Sequence, residues 1–254
     1  MDTESKTLGL DDRTYLLVLT GAGVSAESGI PTFRDANGLW ENHRFEDVAS
    51  PEGWRKDPAL VWRFYSERRK NMKGALPNAG HRALAEVEQR LGDRFLLATQ
   101  NIDGLHKAAG SKRVVEMHGN LFTSRCADPA CDLAPLHDED VYEPNNLPAC
   151  GRCQKNGRFS LLRPHIVWFG EALDARDLQR VEDFMNEGIR SRLVFLAAGT
   201  SGVVYPAAGL VSIAARAGAD TWLVNADPPD NLGRFRNFVR GKSGEVLPKL
   251  FADA

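Results

Sequence analysis

All four cysteines of this 254-residue chain lie in one short segment, as two pairs separated by eighteen residues. The first pair is Cys126 and Cys131, and the second is Cys150 and Cys153. A disulfide framework spreads its cysteines along a chain, whereas clustered pairs in a reducing compartment indicate a metal site. Four thiolates around Zn²⁺ make a closed tetrahedral site with no position left for substrate. The spacing therefore predicts a structural zinc ion.

The residues between the two cysteine pairs disfavour the main alternative for such a cluster, a zinc ribbon that binds nucleic acid. That kind of module needs basic and aromatic surface around its metal. The intervening segment carries acids instead, namely Asp132, Asp138, Glu139, Asp140 and Glu143. The chain has a formal net charge of −2 and a pI near 6.3, which give no electrostatic reason to seek a polyanion. We expect no specific nucleic-acid binding.

A glycine-rich loop follows the first apolar run of the chain. Gly21, Ala22 and Gly23 open the sequence GAGVSAESG, where small residues permit a tight turn and let backbone amides approach a pyrophosphate. A helix starting in this loop would add its dipole. The loop departs from the usual dinucleotide pattern, since Ala26 stands where a third glycine is expected. It favours nucleotide binding over an ordinary strand-to-helix turn.

The residues after this loop argue against a hydride-transferring dehydrogenase. Such an enzyme places an acidic residue about 20 residues on, after a second strand, to hold the adenosine ribose. Here residues 32–47 read TFRDANGLWENHRFED, which is too polar and irregular for a strand. The dehydrogenase stays as the disfavoured alternative.

Polar side chains also follow a second apolar run, FLLAT. Gln100, Asn101 and Asp103 come directly after it, at the strand end where open α/β sheets place residues that contact ligands. His118 follows the short apolar segment 114–117 and precedes Gly119. An imidazole with an unperturbed pKa near ~6.5 can accept a proton near neutral pH, so His118 is the candidate general base.

The elements that position these residues alternate between strands and helices. Apolar runs at 15–20, 95–99, 193–198 and 221–225 predict buried parallel strands. Amphipathic stretches at 58–72, 78–91, 174–187 and 206–217 predict helices between them. This alternation predicts an α/β fold with a doubly wound parallel sheet. Residues 34–57 and 120–165 break the alternation, and the second segment, with every cysteine, is predicted to be a separate zinc-binding lobe.

Several motifs together resemble the sirtuin family. They are GAGVSAESGIPTFRDANGLW (21–40), TQNIDGLH (99–106), HGN (118–120), GTS (199–201) and VNAD (224–227), in family order and with the cysteines. The similarity covers residues 20–248. It implies one sirtuin-type domain over residues 1–254, a Rossmann-like sheet with the zinc lobe at 120–165 inserted. It also implies removal of acyl groups from protein lysines with NAD as co-substrate, which yields nicotinamide, O-acyl-ADP-ribose and free lysine.

The resemblance also implies roles for individual residues. It makes His118 the base that activates a ribose hydroxyl, and Phe33 the shield of the reacting face. The residues that it assigns to NAD are Gly21, Ala22, Gly23, Phe33, Arg34, Trp40, Gln100, Asn101, Asp103, Gly199, Thr200, Ser201, Asn225, Asp227 and Ser243.

Five further residues are expected to meet the acylated peptide. The segment with Val167, Trp168 and Phe169 matches the part of the family that lines the acyl-lysine tunnel, and its exposed backbone could pair with an extended peptide. Tyr65 and Arg68 are three residues apart on one predicted helix face, where a phenol and a guanidinium can bind a carboxylate together. Taken alone, this spacing also fits a core aromatic beside a solvated arginine.

The pair Tyr65 and Arg68 resembles the Y-x-x-R motif of class III sirtuins. Ala36 matches the small residue that widens the acyl pocket of those enzymes. The resemblance implies removal of succinyl or malonyl groups in addition to acetyl groups.

The remaining features concern location and partners. The first residues, MDTESKTLGLDDR, lack the apolar region of a secretory signal, and no apolar run approaches the ~18 residues of a membrane span. We expect a cytoplasmic monomer whose partners are acylated-lysine proteins or peptides. ADP-ribosyl transfer as a side activity stays open, because any nucleophile that meets the activated ribose can capture it.

Overall fold

The computed structural model describes residues 7–31, 39–40, 43–200 and 209–252. Its strands, in chain order, are β1 (Thr14–Thr20), β2 (Leu39–Trp40), β3 (His43–Arg44), β4 (Phe95–Thr99), β5 (Val114–Glu116), β6 (Gly119–Cys126), β7 (Leu136–His137), β8 (Leu162–Ile166), β9 (Arg192–Ala198), β10 (Asp220–Asn225) and β11 (Asn237–Arg240). Its α-helices are α1 (Phe45–Val48), α2 (Pro51–Lys56), α3 (Pro58–Met72), α4 (Ala79–Leu91), α5 (Leu105–Ala108), α6 (Gly151–Lys155), α7 (Ala175–Ile189), α8 (Leu210–Arg216) and α9 (Ser243–Leu250).

A six-stranded parallel sheet forms the centre, in the order β11-β10-β9-β1-β4-β5. The chain first builds outward from β1 to β4 and β5, and then returns to β9 on the other side of β1. The strand order therefore reverses between β1 and β9, and ligands of open α/β sheets bind at such a switch point, outside the carboxyl ends of the strands.

Both faces of this sheet are buried, which explains why its central strands are continuously apolar. Leu16 and Val18 of β1 pack toward α4 and α9, whereas Leu17 and Leu19 pack toward α7 and α8. This arrangement confirms the predicted doubly wound parallel sheet.

The predicted helices begin and end close to where their sequence signals place them. Helix α3 starts at Pro58 with the Asp57 side chain accepting from the N–H of Leu60, and α4 starts after the capping residue Asn78. Helix α8 spans Leu210–Arg216, and the first residues of the helix predicted from residue 206 lie outside the described part of the chain. None of the described helices has both the length and the apolar character needed to cross a bilayer.

The irregular segments contain elements that the sequence did not predict. Residues 43–57 include the short helices α1 and α2. In the segment predicted as the zinc lobe, β6, β7 and β8 form a separate antiparallel sheet, and α6 carries the second cysteine pair. Strands β5 and β11 were also missed, because each is short and only partly apolar.

Candidate active site

The carboxyl ends of β1, β4 and β9 bring three loops together at the switch point. Gln100 connects them: its backbone N–H donates to the carbonyl of Thr20 at 2.9 Å, and its side-chain amide donates to Thr200 Oγ1 at 3.0 Å. Residues predicted separately from three motifs therefore lie at one edge of the sheet.

Three glycines allow two of these loops to pack backbone against backbone. The N–H of Gly23 donates to the carbonyl of Gly199 at 2.8 Å. A Cβ at Gly21 would lie 2.8 Å from the Gly199 oxygen, and one at Gly199 would lie 2.3 Å from the Val24 nitrogen. Gly199 also has φ +59°, a conformation that favours glycine. The loops leave no room for side chains here, as a backbone cradle for phosphates requires.

No α-helix starts within residues 21–31, where a following helix would have added its dipole to the Gly21 loop. Residues 22–24 and 26–28 form two short 3₁₀ turns, and Gly29 ends the second turn with φ +81°. Frequent small residues with no apolar face do not support a longer helix. Any anion bound here would be held by loop amides rather than by a helix dipole.

A buried hydrogen-bond network behind the loop centres on Ser25, which the sequence analysis did not single out. The Ser25 hydroxyl donates to Asp103 Oδ2 at 2.6 Å and accepts from Asn101 Nδ2 at 3.1 Å. His81 Nε2 lies 3.4 Å from the same oxygen. Because the N–H of Asn78 donates to His81 Nδ1 at 3.3 Å, His81 carries its proton on Nε2 and donates to Ser25.

This network fixes the side chains of Asn101 and Asp103, whose predicted contact with NAD stays a prediction. Asn101 is 9 % exposed and Asp103 is 8 % exposed. Burial raises the pKa of Asp103, although the hydrogen bonds from Ser25 and from the N–H of Leu105 oppose that rise. The Asn101 amide nitrogen already donates to the carbonyl of Gly21 and to Ser25 Oγ, each at 3.1 Å, so Asn101 Oδ1 and the Asp103 carboxyl oxygens are the acceptors that the amide N–H of a ligand could meet.

His118 lies beside this pocket, on the loop after β5. Its Nδ1 is 2.9 Å from the backbone oxygen of Gln100, so Nδ1 carries the proton and Nε2 keeps a free lone pair. Burial lowers the pKa of His118, and the bond to Gln100 only partly opposes this. The imidazole is therefore neutral near pH 7, as a general base must be.

Two contacts connect predicted acyl-binding residues with His118 and with each other. The N–H of Val167 donates to the carbonyl of His118 at 2.9 Å. Tyr65 is fully buried, and its hydroxyl accepts from Trp168 Nε1 at 3.0 Å. Burial raises the pKa of Tyr65, so the phenol stays protonated. Trp168 is itself only 2 % exposed, so its predicted contact with the acyl group stays a prediction.

The backbone of this segment is less exposed than the sequence analysis expected. The N–H groups of Val167, Trp168 and Phe169 donate to His118 O, to Glu171 Oε2 and to Ala49 O, respectively. These bonds hold the segment in place but leave fewer groups for strand addition by a peptide. The Phe169 side chain is 53 % exposed and packs on Phe45, with ring centroids 5.3 Å apart.

Other residues predicted to contact NAD lie along the same edge. Asn225, at the end of β10, donates to the carbonyls of Thr200 and Asp227 at 3.4 and 3.0 Å. Ser243 is buried at the start of α9, just after the last strand of the sheet. Phe33, Arg34, Ala36 and Ser201 lie outside the described residues, as does the side chain of Trp40.

The four cysteine sulfurs all lie within 4.8 Å of one another. Cys126 and Cys153 are 3.6 Å apart, and Cys131 and Cys150 are 3.8 Å apart. Zn–S bonds of about 2.3 Å in tetrahedral geometry place sulfurs about 3.8 Å apart, so the cluster fits Zn²⁺. Cys131 closes on a turn from Asp128, which accommodates the four-residue spacing. The ion pair of Arg152 with Asp132 lies on the exposed side of the lobe.

The family model for the Sir2 family matches residues 21–206. This chain belongs to the Sir2 family. An NAD-dependent protein deacylase of Thermococcus sibiricus is 46% identical over 241 residues, which cover 93% of this chain and 90% of that protein. One of Shewanella oneidensis is 45% identical over 238 residues, covering 93% and 92%.

Solved structures of Sir2 proteins share the fold. A Sir2 homolog in complex with NAD is 43% identical with a TM-score of 0.80, covering 93% of this chain and 87% of that one. A mutant homologue with 2′-O-acetyl ADP ribose is 42% identical with a TM-score of 0.79, covering 93% and 90%. A mutant Sir2 with a p53 peptide and NAD is 31% identical with a TM-score of 0.75, covering 92% and 91%.

Two buried histidines of this Sir2 site predict how stability depends on pH. The rings of His81 and His106 contact each other in a tilted arrangement with centroids 4.7 Å apart, and His106 Nε2 bonds Thr20 Oγ1 at 2.9 Å. Burial lowers the pKa of His81 to about 4 and that of His106 to about 3. Between these values and the unfolded value near ~6.5, the unfolded chain binds more protons, so the free energy of unfolding falls as pH falls.

Each histidine contributes a slope of up to about 1.4 kcal/mol per pH unit. Urea unfolding at several pH values between 6.5 and 5 should show this loss of unfolding free energy. His106→Gln should reduce the slope of unfolding free energy against pH by up to about 1.4 kcal/mol per pH unit, the contribution of one proton. A free energy of unfolding that stays constant over this range would contradict the buried neutral pair.

Proposed function

We propose that this chain is an NAD-dependent protein lysine deacylase. The observation that carries the proposal is the neutral His118, whose Nδ1 bonds the Gln100 carbonyl after β4 and whose backbone carbonyl accepts from the N–H of Val167. The named relatives are NAD-dependent protein deacylases, and one homologue was solved with 2′-O-acetyl ADP ribose. That compound is what transfer of an acetyl group to the ribose would produce.

The residues of the pocket have separate tasks. When bound, NAD supplies an electrophilic ribose carbon and nicotinamide as the leaving group. Gly21, Gly23 and Gly199 let backbone amides approach its phosphates, and Asn101 and Asp103 orient its carboxamide. Phe33 is proposed to keep water from the reacting face.

Proton removal is the task of His118. With NAD and an acyl-lysine bound, the amide oxygen of the acyl-lysine would replace nicotinamide on the ribose carbon. His118 Nε2 would then accept the proton of a ribose hydroxyl as that oxygen bonds the acyl carbon, and one water molecule would complete the release of the lysine amine. The Gln100 carbonyl stabilises the imidazolium that forms, because it accepts the hydrogen bond of Nδ1–H at 2.9 Å. A zinc ion held by the four cysteines would contribute structure alone, since four thiolate ligands leave no open coordination position.

Mass spectrometry after incubation with NAD and an acyl-lysine peptide tests this activity. We expect free nicotinamide, O-acyl-ADP-ribose and unmodified lysine in equal amounts. Reduced NAD would support the dehydrogenase alternative, and ADP-ribosylated protein would reveal transfer to other nucleophiles. If the incubation yields neither deacylation products, nor reduced NAD, nor ADP-ribosylated protein, the proposal is overturned.

The acyl groups accepted are proposed to include succinyl and malonyl in addition to acetyl. Arg68 lies on the same face of α3 as Tyr65, one turn further on, and its charge opposes the rise that burial causes in the pKa of Tyr65 and of Asp103. A half-buried guanidinium near a protonated phenol can bind a carboxylate at the end of an acyl chain.

Arg68→Met tests this specificity. Loss of a charge-assisted bond worth about 1.5–3 kcal/mol should lower kcat/KM for a succinyl peptide about 10- to 150-fold relative to an acetyl peptide. Arg63→Met is the matched control, because Arg63 is an exposed arginine of the same helix. Equal losses on both peptides would mean that Arg68 supports the fold or the cofactor loop.

Partners and location follow from the same proposal. A related Sir2 protein was solved with a p53 peptide, and we propose that this chain likewise binds acyl-lysine segments of proteins. It is proposed to act as a monomer in the cytoplasm, where reduced thiolates can bind zinc. Sedimentation tests the monomeric state, and cell fractionation tests the cytoplasmic location.

A further inference from the structure

Helix α3 contacts two different parts of the molecule through neighbouring faces. Trp62, Ser66 and Arg69, spaced four and three residues apart, all bond to the zinc lobe. Trp62 Nε1 donates to the carbonyl of Leu162 at 2.9 Å, and Ser66 Oγ accepts from the N–H of Tyr142 at 2.9 Å. One side of α3 is thus fixed to the lobe from Trp62 to Arg69.

Arg69 makes the most extensive of these contacts. It is fully buried, and its guanidinium donates to the carbonyls of Leu121 and Asp140 at 2.9 and 2.6 Å and to Ser124 Oγ at 3.2 Å. Its charge is balanced by Asp138, at 3.2 Å between Nη1 and Oδ1. An arginine buried to this extent has a single orientation, because its donors are rigidly arranged.

Asp138 is held as firmly as Arg69. It is 7 % exposed and accepts hydrogen bonds from the hydroxyls of Ser124 and Tyr142, the latter at 3.1 Å. The Tyr142 ring packs on Trp62 with centroids 4.7 Å apart, so the same group of side chains returns to α3. The Arg69–Asp138 pair is therefore part of a closed network between helix and lobe.

The adjacent face of α3 carries Tyr65 and Arg68, the pair proposed to bind the carboxylate of the acyl group. Successive helix residues are rotated by about 100°, so Arg68 points one step around the axis from Arg69. Both arginines lie in the last turns of α3, which ends at Met72. Because the backbone between them is shared, any shift of Arg69 also moves Arg68.

We propose that the Arg69–Asp138 pair is a positioning device for acyl selectivity. By fixing the end of α3 to the zinc lobe, it places Arg68 and Tyr65 where a carboxylate on the acyl group can be bound. This inference rests on the proposed reading of the acyl group by those two residues. Bidentate binding tolerates little displacement, since a misplacement of about 1 Å can cost about 100-fold in rate, whereas an acetyl group makes no such bond.

Steady-state kinetics of Arg69→Met, Arg69→Lys and Asp138→Asn, on acetyl and succinyl peptides, test the inference. In Arg69→Met and Asp138→Asn we expect the succinyl-to-acetyl ratio of kcat/KM to fall by about 10-fold or more, mainly through KM for the succinyl peptide. Arg69→Lys should recover part of the ratio because it keeps the charge. The control is Asp132→Asn, which breaks an exposed ion pair of the same lobe and should leave the ratio unchanged.

Tyr142→Phe covers the case in which the Arg69 and Asp138 variants do not fold. It removes one hydrogen bond to Asp138 and keeps the aromatic contact with Trp62, so a smaller drop in the same ratio is expected. Thermal melting and zinc content, measured in parallel, separate a loss of fold from a loss of position.

Two outcomes would overturn the inference, and Arg68→Met distinguishes them. If Arg68→Met lowers the ratio but folded Arg69, Asp138 and Tyr142 variants leave it at the parent value, the positioning role alone is wrong. If Arg68→Met also leaves the ratio unchanged, the proposed binding of the acyl carboxylate by Arg68 is wrong, and the positioning role of the Arg69–Asp138 pair is then wrong as well. Turnover of the acetyl peptide by the parent enzyme tests the proposed deacylase function separately, and neither of these two outcomes affects it.

Discussion

Replacing His118 with alanine should lower kcat/KM for acyl-lysine peptides by about 10²- to 10⁴-fold, the usual contribution of a general base. The ribose hydroxyl loses its proton acceptor, while the loops around NAD keep their mutual contacts. The backbone carbonyl of His118, which accepts from Val167, also remains. Fold and zinc content should therefore match the parent protein.

The matched control for this variant is His137→Ala. His137 is an exposed lobe histidine that bonds Glu139 at 2.9 Å, so its removal tests for nonspecific effects of losing an imidazole. Turnover should stay at the parent level in the control. If His118→Ala itself turned over like the parent, the assignment of the base would be wrong.

The pH profile provides a second test of His118. Burial lowers its pKa below the ordinary value near ~6.5, and the base must be neutral to act. We therefore expect kcat/KM to be constant around pH 7 and to fall only when pH drops below 6.5. An acid limb with its midpoint above ~7 would require a cationic His118 in the resting enzyme, contrary to its buried position.

The core of the fold was predictable from the sequence because burial on both faces leaves a direct pattern. Residues 95–99 are apolar without interruption, and the strand there has the predicted bounds. Strands β5 and β11 escaped prediction because Val114–Glu116 is very short and Asn237–Arg240 contains polar residues. Each of these edge strands is defined by pairing with the strand before it in the sheet, β4 for β5 and β10 for β11, and this pairing leaves no pattern within the short strand itself.

The candidate site was predictable only in part, for the same reason. Asn101, Asp103 and His118 follow strands, and the end of a parallel strand is a recognisable place for them. Ser25 and His81 were missed, because their roles depend on contacts between residues 56 and 78 positions apart. The one available signal was Asn78 three residues before His81, a helix-capping pattern that brings the imidazole back to the glycine loop.

The zinc lobe shows how a local motif can predict chemistry without predicting structure. The spacing of the four cysteines was enough to predict a tetrahedral thiolate site, and their sulfurs converge as expected. The acids between the pairs were interpreted only as evidence against nucleic-acid binding. One of them, Asp138, is instead buried against Arg69, which the charge pattern alone did not indicate.

Cys150→Ser should abolish zinc binding and leave little folded protein. Cys150 is fully buried, and a serine hydroxyl is a far weaker ligand than a thiolate. Structural zinc contributes apparent free energies of about 10–16 kcal/mol in small zinc domains, which equals or exceeds the whole stability of a typical domain, about 5–15 kcal/mol. Three remaining thiols would leave the lobe without its main source of stability.

The loss should spread from the lobe to the active site, because the lobe and the site share elements. Strand β6 begins one residue after His118, and β8 leads directly into the segment that bonds the His118 carbonyl. Activity should therefore disappear together with zinc, as measured by elemental analysis, circular dichroism and turnover on one preparation. Ser160→Ala is the control, since Ser160 lies 3.4 Å from Cys126 Sγ but is not a ligand, and it should retain about one zinc per chain. A stable, metal-free and fully active Cys150→Ser protein would show that the cysteines have no structural role.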